Sequence, residues 1–183
     1  MVCITISGQP GSGTSTLVTK LEQHFNWSSL NGGQVFRDEA NKRGLDLLTF
    51  GQLCRDDLSV DRVLDEDLKR RISEPDGPEI IESRLAGRWA FELGIDCTRL
   101  WIEVSEHERA RRVVQREGGT LEQRLSDSAT RMAIDQARFS ELYGFQPADP
   151  EPYSDKISAD DMSADDVLKE TLTILQKRGI SNV

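Results

Sequence analysis

The stretch Gly8-Gln9-Pro10-Gly11-Ser12-Gly13-Thr14-Ser15-Thr16 constrains the fold more than any other part of the chain. It follows a β-type run, Val2 to Ser7, and leads into a segment where Leu17, Val18, Leu21 and Phe25 recur at helical spacing. Strand, glycine-rich turn and helix, in that order, are the context of a phosphate-binding loop. The glycines let backbone N–H groups converge on phosphate oxygens, and the helix N-terminus adds positive partial charge. Such loops ordinarily read Gly, four residues, Gly-Lys and then Ser or Thr. Here Thr14 stands at the lysine position, and Ser15 supplies the hydroxyl that faces Mg²⁺. A β–α turn that merely saves space is the competing explanation, but position and flanks both agree with the loop. The missing lysine takes a cation from the β- and γ-phosphates, so positive charge has to come from elsewhere.

Arginine is the available source. The chain has 23 basic residues, of which six are lysines (20, 42, 69, 156, 169 and 177) and 17 are arginines. The planar guanidinium fork binds two phosphate oxygens at once. A net charge of −9 and a pI near 4.8 speak against general nucleic-acid binding. With 183 residues, no apolar run of membrane-spanning length and no basic-then-apolar leader, the expectation is one soluble cytoplasmic domain over 1–183, without a membrane partner. Cys3, Cys54 and Cys97 lack metal-ligand spacing, and Cys3 is expected as a small buried residue of the first strand. His24 and His107 lie in unrelated contexts and suggest neither a nucleophile nor a metal site.

Along the chain, strands alternate with helices. Trp27 to Leu30 leads into a turn at Asn31-Gly32-Gly33, then a helix through Phe36 to Arg43. Leu45 to Ser73 is further helix, broken near Asp56 to Val60. Glu74-Pro75-Asp76-Gly77-Pro78 is a loop, Glu79 to Ser83 a buried strand and Leu85 to Leu93 a helix. Thr98 to Val104 is the next strand, and Ser105 caps the helix after it. Gly118-Gly119 precedes a long helix from Leu121 to Tyr143. Tyr153 to Ala159 supplies a last strand, and Ser163 caps a closing helix with Val167, Leu168, Leu172 and Leu175 on its core face. This order predicts an α/β fold with a parallel sheet covered on both faces.

Three sets of residues offer charge. Arg84 directly follows the strand ending at Ser83, so it points into the crevice where α/β proteins bind ligands. Arg37 follows Phe36 on a helix; a solvated arginine paired with Asp38 or Glu39 is the alternative. Arg131, Asp135 and Arg138 share one helix face, the arginines roughly 10 Å apart along the axis. That face either clamps transferring phosphates or belongs to a helix held by Asp127–Arg131 and Arg131–Asp135 ion pairs. Arg109, Arg112 and Arg116 offer lid cations, with a charged helix face the preferred reading of the first two, and Trp27, Trp89 and Trp101 read as packing residues.

Several segments in order resemble the cytidylate kinases, most closely the archaeal type. They are Asn31-Gly32-Gly33-Gln34-Val35-Phe36-Arg37, Asp57-Leu58-Ser59-Val60-Asp61-Arg62, Glu82-Ser83-Arg84-Leu85-Ala86-Gly87, Arg116-Glu117-Gly118 and Tyr143-Gly144, together with Thr14 in place of lysine. The resemblance implies a three-layer P-loop kinase fold with a sheet of about five parallel strands. It also implies an acceptor-binding insertion at about 31–75 and a lid at about 116–140. The implied reaction is transfer of the ATP γ-phosphoryl group to CMP or dCMP by a monomer, with Mg²⁺ at Ser15. Gly8 to Thr16 would hold ATP; Arg37, Arg84 and Asp135 the acceptor; and Arg131, Arg138, Thr14 and Ser15 would serve catalysis. Asp135 would orient the arginines or accept a sugar hydroxyl. Alanine at Arg131 or at Arg138 is expected to lower turnover with little change in thermal stability. Asn31 departs from the family's hydroxyl residue, and Pro147 to Asp161 follows its penultimate strand only loosely. Another small-molecule P-loop kinase, or a nucleotide-binding protein without catalysis, are the alternatives.

Overall fold

The apolar run at the N-terminus forms β1 (Ile4–Gly8), whose first four residues are all buried, as expected of a parallel strand covered by helices. In the computed structural model, which describes residues 1–180, it is joined by β2 (Ser29–Asn31), β3 (Ile80–Glu82), β4 (Thr98–Glu103) and β5 (Asp155–Ser158). The strand order is β2-β3-β1-β4-β5, and every pairing is parallel. Ile4 of the central strand lies opposite Ile80 on one side and Thr98 on the other. The helices are α1 (Thr14–Phe25), α2 (Gly32–Lys42), α3 (Leu47–Asp56), α4 (Leu58–Ser73), α5 (Ala86–Glu92), α6 (Glu106–Glu117), α7 (Leu121–Tyr143) and α8 (Ala164–Lys177).

Successive strand residues point to opposite faces, so each strand feeds two cores. Ile4, Ile6, Ile80, Leu100 and Ile102 meet Leu17 and Leu21 of α1 and Val167 and Leu175 of α8. Ile81, one residue beyond Ile80, turns instead to Leu68 and Ile72 of α4, Trp89 of α5 and Phe139 of α7. Each fully buried Leu or Ile contributes about 1.5–3 kcal/mol relative to exposure. A third, separate core of Ala40, Phe50, Cys54 and Val60 ties α2, α3 and α4 together between β2 and β3.

Two local expectations change. Trp27 to Leu30 is not simply a lead-in to a turn: Ser29–Asn31 is an edge strand paired with β3. Asn31 then caps α2, its Oδ1 accepting from the Gln34 N–H at 2.8 Å, and Gly32 and Gly33 form the first helical turn. Tertiary pairing, not propensity, makes that strand. Cys3 is only half-buried, whereas Cys54 and Cys97 are buried. The break expected in 45–73 falls at Asp57, which caps α4 by accepting from the Ser59 N–H at 3.0 Å. Trp89 and Trp101 are buried in packing positions, and Trp27 stacks on Phe25 with centroids 4.1 Å apart. Among the described residues, no helix is long and apolar enough to cross a membrane.

Candidate active site

Between β1 and α1 the loop turns on Gly11 and Gly13, at φ of 88° and 91°, a region that favours glycine. Side chains cap α2, α3, α4, α6, α7 and α8, but α1 begins at Gly13 with no side-chain cap and no acid in its first turn. Its unpaired N–H donors and the positive end of its dipole are therefore left for an anion. Behind the loop, Arg109 donates through Nη1 to the Pro10 carbonyl and through Nε to the Val104 carbonyl, both at 3.2 Å. Arg112 donates through Nη1 to the Ser12 carbonyl at 3.2 Å and through Nη2 to that of Ala159.

The expectation of a solvated helix face at 109 and 112 is thus overturned. Arg109 keeps only 4% of its exposure. Both guanidinia engage loop carbonyls, those of Pro10 and Ser12. Arg112, Arg116, Gly11, Gly13, Thr16 and Met162 line a cavity of about 670 Å³ beside the loop.

Glu82, at the end of β3, faces the loop's far side and was not singled out from the sequence. Thr14 Oγ1 donates to its Oε1 at 2.6 Å, Ser15 Oγ lies 3.3 Å from its Oε2, and Asn31 Nδ2 also donates to Oε2. Burial pushes the Glu82 pKa up, against the hydrogen bonds from Thr14 and Ser15. A buried carboxylate beside a serine hydroxyl is an oxygen donor set that suits Mg²⁺, which keeps several waters and binds phosphate oxygens. The described residues contain no group of three or more His, Cys, Asp or Glu able to cage a metal. The sequence signal for Glu82 was an acid ending the strand next to β1, but nothing local identifies that neighbour.

Across the cleft, Asp135 gathers the arginines. Arg84 Nη1 donates to Asp135 Oδ2, Arg138 Nη2 lies 3.2 Å from Oδ1, and Arg131 Nε lies 3.9 Å from Oδ2. Arg37, Arg84, Arg131 and Arg138 line a cavity of about 120 Å³, which adjoins one of about 280 Å³ sharing the last three. Arg37 donates to Gln34 Oε1 through Nη2 at 2.9 Å, not to Asp38 or Glu39. Asp127 faces Arg124 at 3.8 Å rather than Arg131. The Arg131 pKa is lowered, first by loss of water and then by the like charge of Arg84, although Asp135 opposes this. Such crowding of cations is relieved by an anion.

The two arginines expected to act alike are not alike. Arg131 keeps 44% of its side-chain exposure, whereas Arg138 keeps 4% and sits with Nε 3.1 Å from Asp61 Oδ2. Burial pushes Asp61 up to about 6, against the pull of Arg138. The expectation that replacing Arg138 would barely touch stability rested on exposed ion pairs, and those of Arg138 are buried. Arg131 has a second environment: it lines a further cavity with Pro10 and Gly11 of the loop.

Residues 7–136 match the model of a family described as AAA domain. The chain is 32% identical to the cytidylate kinase of Methanopyrus kandleri, with 96% of this chain and 91% of that protein covered. It is also 32% identical to the cytidylate kinase of Methanococcoides burtonii, covering 92% and 95% respectively. Among solved structures, shikimate kinase from Bacteroides thetaiotaomicron superposes with a TM-score of 0.61 at 13% identity, covering 96% of this chain and 98% of that one. That likeness concerns the fold.

Proposed function

The chain belongs to the archaeal-type cytidylate kinases, and we propose that it transfers the γ-phosphoryl group of ATP to the 5′-phosphate of CMP or dCMP. The observation that carries the site assignment is the position of Arg131. It lines one cavity against Pro10 and Gly11, and it lines the cleft that also holds Arg37 and Arg84. A side chain common to donor loop and acceptor cleft lies where a phosphoryl group has to pass.

Phosphoryl transfer needs positioning and charge neutralisation more than covalent help. The loop N–H groups and the open end of α1 hold the ATP phosphates, while Arg112 and Arg116 border the cavity that would take the rest of that nucleotide. Arg37 and Arg84 hold the acceptor phosphate, which is already ionised and requires no strong base. Asp135 fixes the fork of Arg84 against α7. Residues 31–75 act as the acceptor-binding insertion and 116–140 as the lid that excludes water. Ser15 and Glu82 would hold Mg²⁺, which would supply charge neutralisation to the ATP phosphates. Arg131 contributes the cation that Thr14 lacks. This reading places a monomer in the cytoplasm, and the net charge of −9 supports separation from nucleic acid.

A coupled ADP-release assay with ATP and Mg²⁺ across CMP, dCMP, UMP, AMP and GMP tests the proposal. Turnover should be highest with the cytidine nucleotides. No Mg²⁺-dependent transfer to any monophosphate would give the binding-only alternative precedence. Arg84→Ala should retain ATP affinity but raise the acceptor KM roughly 30- to 150-fold, the loss of a bidentate charge-assisted contact worth about 2–3 kcal/mol. An unchanged KM in steady-state kinetics removes Arg84 from the acceptor site.

A further inference from the structure

We infer that Arg109 is a positioning residue of the donor site: it holds the loop at the Pro10 carbonyl and supplies the phosphates with a buried positive charge where the loop has Thr14 instead of lysine. The inference rests on the reading of Gly8 to Thr16 as a phosphate-binding loop and names a residue outside that loop on which its affinity depends. A loop of this kind attracts an anion with its N–H donors, but its carbonyl dipoles repel one. Two guanidinium groups engage loop carbonyls, Arg109 that of Pro10 and Arg112 that of Ser12, both at 3.2 Å. The loop is also seated on Arg109 itself. A Cβ placed on Gly11 would lie 3.1 Å from the Arg109 carbonyl oxygen and 3.2 Å from the Arg109 Cβ.

The two arginines differ in how their charge is balanced. Arg112 donates through Nε to Glu108 Oε1 at 2.8 Å, and hydrogen bonds from Arg111 and Arg112 hold the Glu108 carboxyl well below the usual range. Arg109 has no such partner. Its Nε meets the Val104 carbonyl, its Nη1 that of Pro10, and its Nη2 the Met132 sulfur at 3.3 Å. Among the described residues no carboxylate forms an ion pair with it, although it keeps only 4% of its exposure. Burial lowers its pKa, and the attraction of Glu106 on the same helix opposes this. Buried charges are normally paired, because leaving water is costly. Three neutral acceptors engage the nitrogens of Arg109 but do not balance its charge, and the anion-binding feature it touches is the loop. A buried charge is weakly screened, so it acts on phosphates held across the loop. Arg131 then serves the group in transit, and Arg109 the phosphates at rest. Met132 adjoins Arg131 on α7, so the same guanidinium ties the loop to the helix that carries that residue.

Equilibrium titration with ATP and with ADP, in the absence of acceptor, tests this and needs no turnover. Arg109→Gln, which keeps a donor for the Pro10 carbonyl but no charge, should weaken ATP binding roughly tenfold or more and ADP binding less. The loss should persist at raised salt. A second pair leaves Arg109 in place. Met132→Glu sets a carboxylate against Nη2 and should weaken ATP binding by a similar factor; Met132→Gln, of the same shape without the charge, should not. If Arg109→Gln does not fold, the Met132 pair decides. A folded Arg109→Gln protein that binds ATP as tightly as wild type, or loses ATP and ADP affinity equally, overturns the inference. Equal ATP affinity in Met132→Glu and Met132→Gln overturns it as well. A lowered melting temperature with ATP binding intact would make Arg109 a structural brace only. Wild-type protein that binds no ATP sinks the loop reading and this inference together; wild-type protein that binds ATP but transfers nothing sinks the kinase reading alone.

Discussion

Alanine in place of Arg131 is expected to lower kcat by roughly 10³-fold while ATP affinity and melting temperature hold. The loop lacks its lysine, and Thr14 donates to Glu82, so neither supplies a cation to the transferring group. Arg131 does, from a position shared by the loop cavity and the acceptor cleft. Charge redistributes across the transferring group and the leaving oxygen during transfer, so an arginine contact that strengthens there is lost in turnover more than in KM. Stability is a separate matter. Arg131 is 44% exposed and lies 3.9 Å from Asp135, a contact worth about 0–1 kcal/mol. The melting temperature should therefore move by no more than about 4 °C. Single-turnover kinetics at saturating substrates, paired with thermal melts, check both halves. Intact turnover with a lowered melting temperature would make Arg131 a scaffold residue.

What the sequence revealed was local. The loop, the helix from Leu121 to Tyr143 and the caps at Ser105 and Ser163 depend on residues within a few positions of one another, and each forms where its pattern places it. The resemblance to cytidylate kinases carried the reaction class, because ordered motifs along the whole chain are far more specific than a glycine-rich turn. What stayed hidden was distant. Glu82 reaches Thr14 across 68 positions, and Arg112 reaches the Ser12 carbonyl across 100. Main-chain carbonyls leave no residue-type signal, so Arg109 and Arg112 looked like a solvated stripe. β2 exists because Ser29, Leu30 and Asn31 pair with β3, not because these three residues favour a strand. Spacing could place Arg131 and Arg138 on one helix face, but not show that seven residues further along α7 the same face enters the core.

That difference gives the second large expectation, Arg138→Ala, which should destabilise the fold by about 3–5 kcal/mol. For a chain of this size the corresponding fall in melting temperature is about 6–20 °C. Asp135 would keep Arg84 and Arg131, but Asp61 would lose the guanidinium 3.1 Å from its Oδ2 and become a buried charge without that cation. The pH dependence follows from the direction of the Asp61 shift. Its folded-state pKa, pushed up by burial to about 6, lies above the value of about 3.9 expected when unfolded. Ionising Asp61 thus costs stability as pH rises through that interval, and Arg138 offsets part of the cost. Removing Arg138 should raise the folded-state pKa further, so the variant's deficit is largest above pH 6, where wild-type Asp61 is charged. Near pH 5, with Asp61 largely protonated in both proteins, the part of the deficit due to this pair should fade. Thermal melts of both proteins at pH 5 and pH 8 test this. A deficit equal at both values, or larger at pH 5, would show that Arg138 supports the fold through its ring contacts and Asp135 rather than through the Asp61 charge.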